Sequence, residues 1–185
     1  MSAAQIGATM NHCFDMNQRV TVSINRTVNY IDRTRQLYDR IGYPPYSWFH
    51  ADTAPAFTPM MKPLAASRLG MISTAGTYVT GQTAYYYKDD TSIRKIPADT
   101  PKKNLRFSHI TENYLVEARQ DPATVFPSDS LASLQSEGII GELATDYFSC
   151  MGGIYSQRRV REELIPALKQ AIDEEAIDCL LLVPL

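Results

Sequence analysis

The first clear helical pattern of hydrophobic positions runs from Ser23 to Ile41. Apolar side chains recur there at spacings of three, four and seven residues, which places them along one stripe of a helix. They are Ile24, Val28, Ile31, Tyr38 and Ile41. Arginines and aspartates fill many of the other positions, and Gly42 followed by two prolines ends the pattern. The sequence therefore predicts an amphipathic helix, followed by an irregular loop over the proline-rich residues 43–63.

The last third of the chain combines a second helical pattern with a continuous apolar run. From Tyr155 to about Ala176 the apolar residues again follow a helical period, which Pro166 interrupts. Because proline lacks an amide hydrogen, we expect a kink or the start of a second helix there. Residues 176–183 are then almost continuously apolar, which is typical of a strand buried on both faces of a parallel sheet.

Strand patterns also occur in the middle of the chain. Arg68 to Thr74 and Asn104 to Ile110 are strand candidates, and Ser92 to Pro97 is a less regular one. Between Phe126 and Gly153, a short helix is predicted to end at Gly138. Since strand, turn and helix recur, we predict an α/β fold with an open, mainly parallel sheet and flanking helices, or an incomplete version of a larger domain of that kind.

Composition and charge narrow the class of protein. The 185 residues are 44% hydrophobic and carry a net charge of -2, which gives no electrostatic reason to expect nucleic acid or an anionic membrane as a partner. The start of the chain lacks the pattern of a secretory signal, and no apolar segment is long enough to cross a bilayer. We expect a cytoplasmic protein with a loose N-terminal segment over residues 1–22 and one α/β domain over residues 23–185.

The sequence offers no standard metal site. Cys13, Cys150 and Cys179 are odd in number and lack CxxC spacing, which argues against a disulfide framework or a thiolate zinc site. The soft ligands between Met10 and Met16 match no standard spacing. Asp89 and Asp90 suit a hard cation or a polar turn, and no third acidic residue is near them in sequence.

The candidate site lies where predicted strands end, because ligands of open α/β sheets bind beyond the carboxyl ends of strands. His109 follows one strand and is the candidate catalytic residue, as a general acid or base. The alternative is a histidine that organises its loop by hydrogen bonds. The candidate substrate-pocket residues are Thr74, Ala75, Gly76, Thr77, Ser108, Glu112, Ser149 and Gly152. His50 and Asp52 form another candidate acid/base pair, or belong to a loop anchored by buried aromatic residues.

The order of several short segments resembles a known family. Asp121-Pro122 and Val125-Phe126-Pro127 lead to Glu137-Gly138-Ile139-Ile140-Gly141 and then to Phe148-Ser149, Met151 and Gly152. Upstream lie Arg94-Lys95-Ile96-Pro97 and Ser108-His109, and downstream lie residues 178–184. From about Tyr38 onward, the chain is similar to the substrate-activating selenoprotein subunits of the glycine, sarcosine and betaine reductases and of D-proline reductase.

The resemblance implies a reductive cleavage of the C–N bond of a small amino-acid-like substrate. In that family a selenocysteine or cysteine follows the strand that matches residues 178–183, and it attacks a substrate held on a pyruvoyl group. The pyruvoyl group belongs to a partner subunit, so the resemblance implies no cofactor in this chain. It implies a pyruvoyl-bearing partner subunit or a homo-oligomer, and neither nucleic acid nor a membrane.

The sequence ends at Pro184-Leu185, just before the position of the family's redox residue. None of the three cysteines occupies that position. Because selenocysteine is encoded by a codon that ordinarily means stop, we expect the reading frame to continue in register beyond Leu185. The alternatives are a non-catalytic structural subunit and a small-molecule-binding α/β domain that shares only the fold.

Overall fold

The computed structural model describes residues 29–45, 50–56 and 58–185, which belong to two units, Met1–Ala56 and Phe57–Leu185. In the first unit, helix α1 (Tyr30–Arg40) begins after Asn29, whose side chain accepts the Asp32 amide at 3.2 Å. Gly42 follows the helix with a φ of 73°. The predicted amphipathic helix is thus confirmed over residues 30–40, while residues 23–28 and the loose segment 1–22 lie outside the described residues.

The second unit is built on a five-stranded sheet centred on strand β1 (Arg68–Ser73). One edge of β1 pairs in parallel with β7 (Cys179–Val183). Its other edge pairs in parallel with two successive short strands, β5 (Glu142–Leu143) and β6 (Asp146–Ser149). Strand β3 (Arg94–Pro97) adds to β6 in the antiparallel direction. The parallel centre of this sheet, with its helices, confirms the predicted α/β class.

Apolar side chains cover both faces of the sheet. Leu69 and Met71 of β1 pack with Phe126, Leu131 and other residues on the face that helix α3 (Ser128–Ser136) covers. Ile72 and Phe148 pack on the opposite face with Leu164 and Ala171. This alternation follows from the period of two along a strand.

A continuous helical segment covers the second face. It consists of α4 (Gln157–Arg159), a π-helical segment (Val160–Leu164) and α5 (Ile165–Glu174). Ser156 caps its start, since its side chain accepts the Arg159 amide. The helix changes from π to α geometry next to Pro166, which confirms the predicted irregularity. The remaining helical elements are α2 (Val116–Gln120) and the 3₁₀ turns Leu64–Ala66, Lys102–Asn104, Glu112–Leu115 and Pro122–Thr124.

Two strand predictions need correction. The segment predicted from Asn104 to Ile110 forms only β4 (Leu105–Phe107), which pairs with β2 (Thr77–Val79) in a separate antiparallel ribbon. It cannot pair with β1, because both edges of β1 are already occupied. The apolar run of residues 176–183 was predicted to form a strand buried on both faces. That burial is wrong, since Leu182 of β7 is 66% exposed. Among the described residues, β7 pairs with β1 alone and lies at the edge of the sheet.

Candidate functional site

The carboxyl ends of β1 and β7 are tied together at Thr74. Its amide donates to the carbonyl of Val183 at 3.0 Å, and its hydroxyl accepts the amide of Leu185 at 2.9 Å. The two predicted strand ends therefore meet, as expected for neighbouring parallel strands. We call the junction of Thr74–Thr77, Ser108–Ile110, Ser149–Gly153 and Leu185 the crevice, a name that refers to its position at the strand ends.

A sharp turn at Gly76 brings the third segment to this junction. Gly76 has a φ of 62°, a conformation that side-chain-bearing residues rarely adopt. Its amide donates to the carbonyl of Cys150 at 3.0 Å, and its carbonyl accepts the amide of Ser108 at 3.0 Å. A Cβ atom at this position would overlap the Ser108 carbonyl oxygen. The turn thus requires glycine for its backbone angle and for the close approach of Ser108.

Two further glycines allow the chain to pass next to His109. A Cβ atom on Gly152 would lie 2.9 Å from the Thr74 carbonyl oxygen and 3.0 Å from His109 Nε2. A Cβ atom on Gly153 would overlap the side chain of Ile110. The segment around His109 therefore packs against three glycines, Gly76 among them. The structure brings together the predicted residues Thr74, Gly76, Ser108, His109 and Gly152, although β4 lies outside the main sheet.

Within the described residues, the ring of His109 is hydrogen-bonded through Nδ1 and not through Nε2. Its Nδ1 atom lies 3.1 Å from the amide nitrogen and 3.0 Å from the hydroxyl oxygen of Thr111. The ring also organises its loop, as the alternative interpretation held. The Nε2 atom is buried and has no hydrogen-bond partner among the described residues. Burial lowers the pKa of His109, and the carboxylate of Glu112 acts in the opposite direction.

Ser149 belongs to a buried polar network below the crevice. Its hydroxyl accepts the amide of Thr77 at 2.8 Å, and its carbonyl accepts the Tyr85 hydroxyl at 2.6 Å. The hydroxyl of Ser108 donates to the carbonyl of Tyr85 at 3.1 Å. Burial raises the pKa of Tyr85. Ser149 and Thr77 are fully buried, so their contribution in this structure is to hold the crevice segments together.

Sequence reasoning missed Tyr85 and Thr111. Tyr85 is the first of three consecutive tyrosines, and nothing in the sequence distinguishes it from Tyr86 and Tyr87. In the structure Tyr85 is buried, whereas Tyr86 and Tyr87 are exposed. Thr111 carries a recognisable signal, because a threonine two residues after a histidine is close enough to bond the ring locally.

The other acid/base candidates are exposed or bonded to backbone groups. The Glu112 side chain is exposed and pairs with Arg119. The Nδ1 atom of His50 lies 3.7 Å from Oδ1 of Asp52, but both side chains are almost fully exposed. Asp89 accepts the amides of Tyr155 and Ser156 from a distant part of the sequence, and Asp90 accepts those of Tyr86 and Ser92, as a polar turn residue does. Within the described residues, no group of three His, Cys, Asp or Glu side chains is arranged to hold a metal ion.

The two described cysteines lack the features of a redox nucleophile. Cys150 is 3% exposed, and burial raises the pKa of its thiol to about 11. Cys179 is partly buried, and its thiol pKa is also raised by burial. Since the thiolate is the reactive species, neither residue fits the selenol or thiol role that the family resemblance implies. Cys13 lies outside the described residues.

A separate cavity lies on the β2–β4 ribbon. Its volume is about 540 Å³, and its lining includes Tyr78, Arg106, Phe107 and Arg119. None of the predicted site residues lines this cavity.

Comparison with known proteins gives one distant relative. Over 128 residues the chain is 29% identical to the D-proline reductase subunit gamma of Acetoanaerobium sticklandii. The match covers 69% of this chain and 52% of the relative, so the chain spans about half of that protein's length. No protein-family profile matches the chain. No solved structure matches it either. No helix in the described part of the chain is long and apolar enough to cross a membrane.

Proposed function

We propose that this chain is a subunit, or part of a subunit, of a selenol- or thiol-dependent reductase that cleaves a C–N bond in a glycine-, betaine- or proline-like substrate. The similarity to the gamma subunit of D-proline reductase carries this proposal. The crevice supports it, since polar groups of several segments meet at the strand ends where α/β proteins bind ligands. The cytoplasmic location stays a prediction.

For a proline-like substrate the proposed reaction is a two-electron reduction. The bond between the nitrogen and the α-carbon breaks, and both atoms gain hydrogen. D-proline would thus give 5-aminopentanoate. A dithiol supplies the two electrons and the two protons and ends as a disulfide, so atoms and charge balance.

The chain's own described residues serve this reaction by binding and orientation. Cys150 and Cys179 do not fit the role of the redox nucleophile, so we propose that a selenol or thiol outside the described residues performs it. We propose likewise that the pyruvoyl group belongs to a partner subunit. The crevice would then hold the substrate through Thr74, Ser108, His109 and Gly152, while the fully buried Ala75 and Thr77 keep its segments in place.

Copurification with partner subunits, followed by an activity assay, tests the proposal. The chain is purified from its source cells with its associated proteins, and the sample is incubated with dithiothreitol and, separately, glycine, sarcosine, betaine, D-proline and L-proline. We expect consumption of one of these substrates, with one dithiol oxidised for each molecule cleaved. The chain alone should be inactive. Copurification of no other reductase subunit and inactivity with every substrate would overturn the proposal and favour a small-molecule-binding α/β domain.

A further inference from the structure

The hydrogen bonds of His109 fix the position of its proton. A backbone amide can only donate, so the Thr111 amide, 3.1 Å from Nδ1, requires a lone pair on that atom. The neutral ring must then carry its proton on Nε2. A second proton, on Nδ1, would point at the amide hydrogen of Thr111, and two donors repel each other. The Thr111 hydroxyl, 3.0 Å away, is free to donate to the same lone pair.

The Nε2–H group that results has no acceptor in the part of the chain that the structure describes. His109 is only 6% exposed, and its Nε2 atom is buried without a partner among the described residues. Leaving such a donor unpaired is unfavourable, and few buried polar groups in folded proteins lack a partner. A Cβ atom on Gly152 would lie 3.0 Å from Nε2, so the backbone of Gly152 covers this atom. Gly152 itself is exposed, so a thin layer of backbone separates Nε2 from solvent.

We propose that His109 is a substrate-binding donor of fixed tautomer, whose Nε2–H bonds a carboxylate oxygen of the substrate once Gly152–Gly153 is displaced, and that Thr111 is its positioning residue. This inference rests on the proposed function. A carboxylate is favoured because a hydrogen bond to an ionised acceptor is stronger than one to a neutral group. Acid/base catalysis is disfavoured, since release of the Nε2 proton would require Nδ1 to take one up against the Thr111 amide.

Nitrogen NMR of the imidazole rings tests the tautomer in the folded chain, independently of reductase activity. With ¹⁵N-labelled histidine at pH 7.5, His109→Gln assigns the signals. We expect the Nε2–H form of His109 to exceed the Nδ1–H form about tenfold or more, as one to two hydrogen bonds to Nδ1 would give. Thr111→Val should lower this ratio, and Thr111→Ser should restore it. An Nδ1–H form, or a charged ring, would overturn the inference and leave the reductase proposal intact.

Titration with three probes tests the binding role. D-proline and acetate carry a carboxylate, and pyrrolidine has the ring of proline without one. We expect D-proline and acetate to shift the His109 Nε2 signal saturably, and pyrrolidine to leave it unchanged. A response to acetate alone would support the donor site but count against a proline-like substrate. A correct tautomer that neither carboxylate perturbs would overturn the binding role.

Discussion

Gly76 and Ser108 are in backbone contact: the amide of Ser108 donates to the carbonyl of Gly76 at 3.0 Å, and the Ser108 carbonyl occupies the space of the missing Gly76 side chain. This contact sets the path of the chain into His109. Because the turn follows directly after β1, it also ties the His109 segment to the end of the central strand.

Replacement of Gly76 by alanine should therefore be strongly destabilising. The left-handed backbone alone costs a non-glycine residue about 1–2 kcal/mol. The overlap with the Ser108 carbonyl adds to this, because a backbone atom cannot move aside as a flexible side chain does. We expect Gly76→Ala to lower the free energy of unfolding by more than about 3 kcal/mol in urea titrations.

Gly138→Ala is the matched control for this prediction. Gly138 has a similar φ of 73°, but its missing Cβ would meet nothing within 4 Å. We expect a loss of about 1 kcal/mol from the backbone angle alone. Equal losses in the two variants would show that the contact with Ser108 does not constrain the turn.

Loss of the Ser149 hydroxyl should leave a buried amide unpaired. Ser149 is fully buried, and its hydroxyl is the partner of the Thr77 amide at 2.8 Å. Ser149→Ala is expected to reduce the free energy of unfolding by about 1–3 kcal/mol. The exposed Ser136, which donates to the Ser133 carbonyl, provides the control variant Ser136→Ala, for which we expect less than about 0.5 kcal/mol. If both variants are equally stable, the buried network contributes nothing measurable.

Cys150 should resist alkylation in the folded protein. With a thiol pKa of about 11, it has a thiolate fraction at pH 7.5 about a hundredfold below that of an ordinary cysteine. In a Cys13→Ser background, we expect iodoacetamide to modify Cys150 at least about a hundredfold more slowly in buffer than in urea, as followed by peptide mass spectrometry. Rapid labelling in buffer would instead make Cys150 a candidate redox nucleophile.

The sequence predicted those elements that depend mainly on neighbouring residues. The helical period from Tyr155 to about Ala176 predicted the helical segment that the structure forms over residues 157–174, and Pro166 marked its irregular point. The turn at Gly76 was predictable because glycine tolerates the backbone angle that a sharp turn needs. The strand ends at Thr74 and Val183 could be placed side by side, since parallel strands share an edge.

The rest depends on contacts between distant parts of the chain. An apolar run such as Cys179–Val183 has the same pattern in the middle of a sheet and at its edge, so the exposure of Leu182 was not predictable. The packing of Gly152 on His109 likewise joins two segments that are far apart in sequence. Neither segment contains a pattern that predicts contact with the other. The candidate residues were predicted, but the unpaired Nε2 atom was found only in the structure.

The lowered pKa of His109 predicts how stability depends on pH. Burial holds this pKa below its ordinary value of 6.5, and Glu112, which also pairs with Arg119, offsets the shift only in part. The unfolded chain therefore takes up the histidine proton at a higher pH than the folded chain does. The contribution of His109 to stability is complete above pH 6.5 and is lost as the pH falls below it.

We accordingly expect the free energy of unfolding to fall between pH 7.5 and pH 5.5 more steeply in the native protein than in His109→Gln. The difference in slope is limited to about 1.4 kcal/mol per pH unit, the value for one proton. His50→Gln is the control for the loss of a histidine at an exposed position, since the side chain of His50 is 88% exposed. Urea titrations at five pH values measure the three slopes. A His109→Gln slope identical to that of the native protein would mean that His109 keeps an ordinary pKa in the folded state.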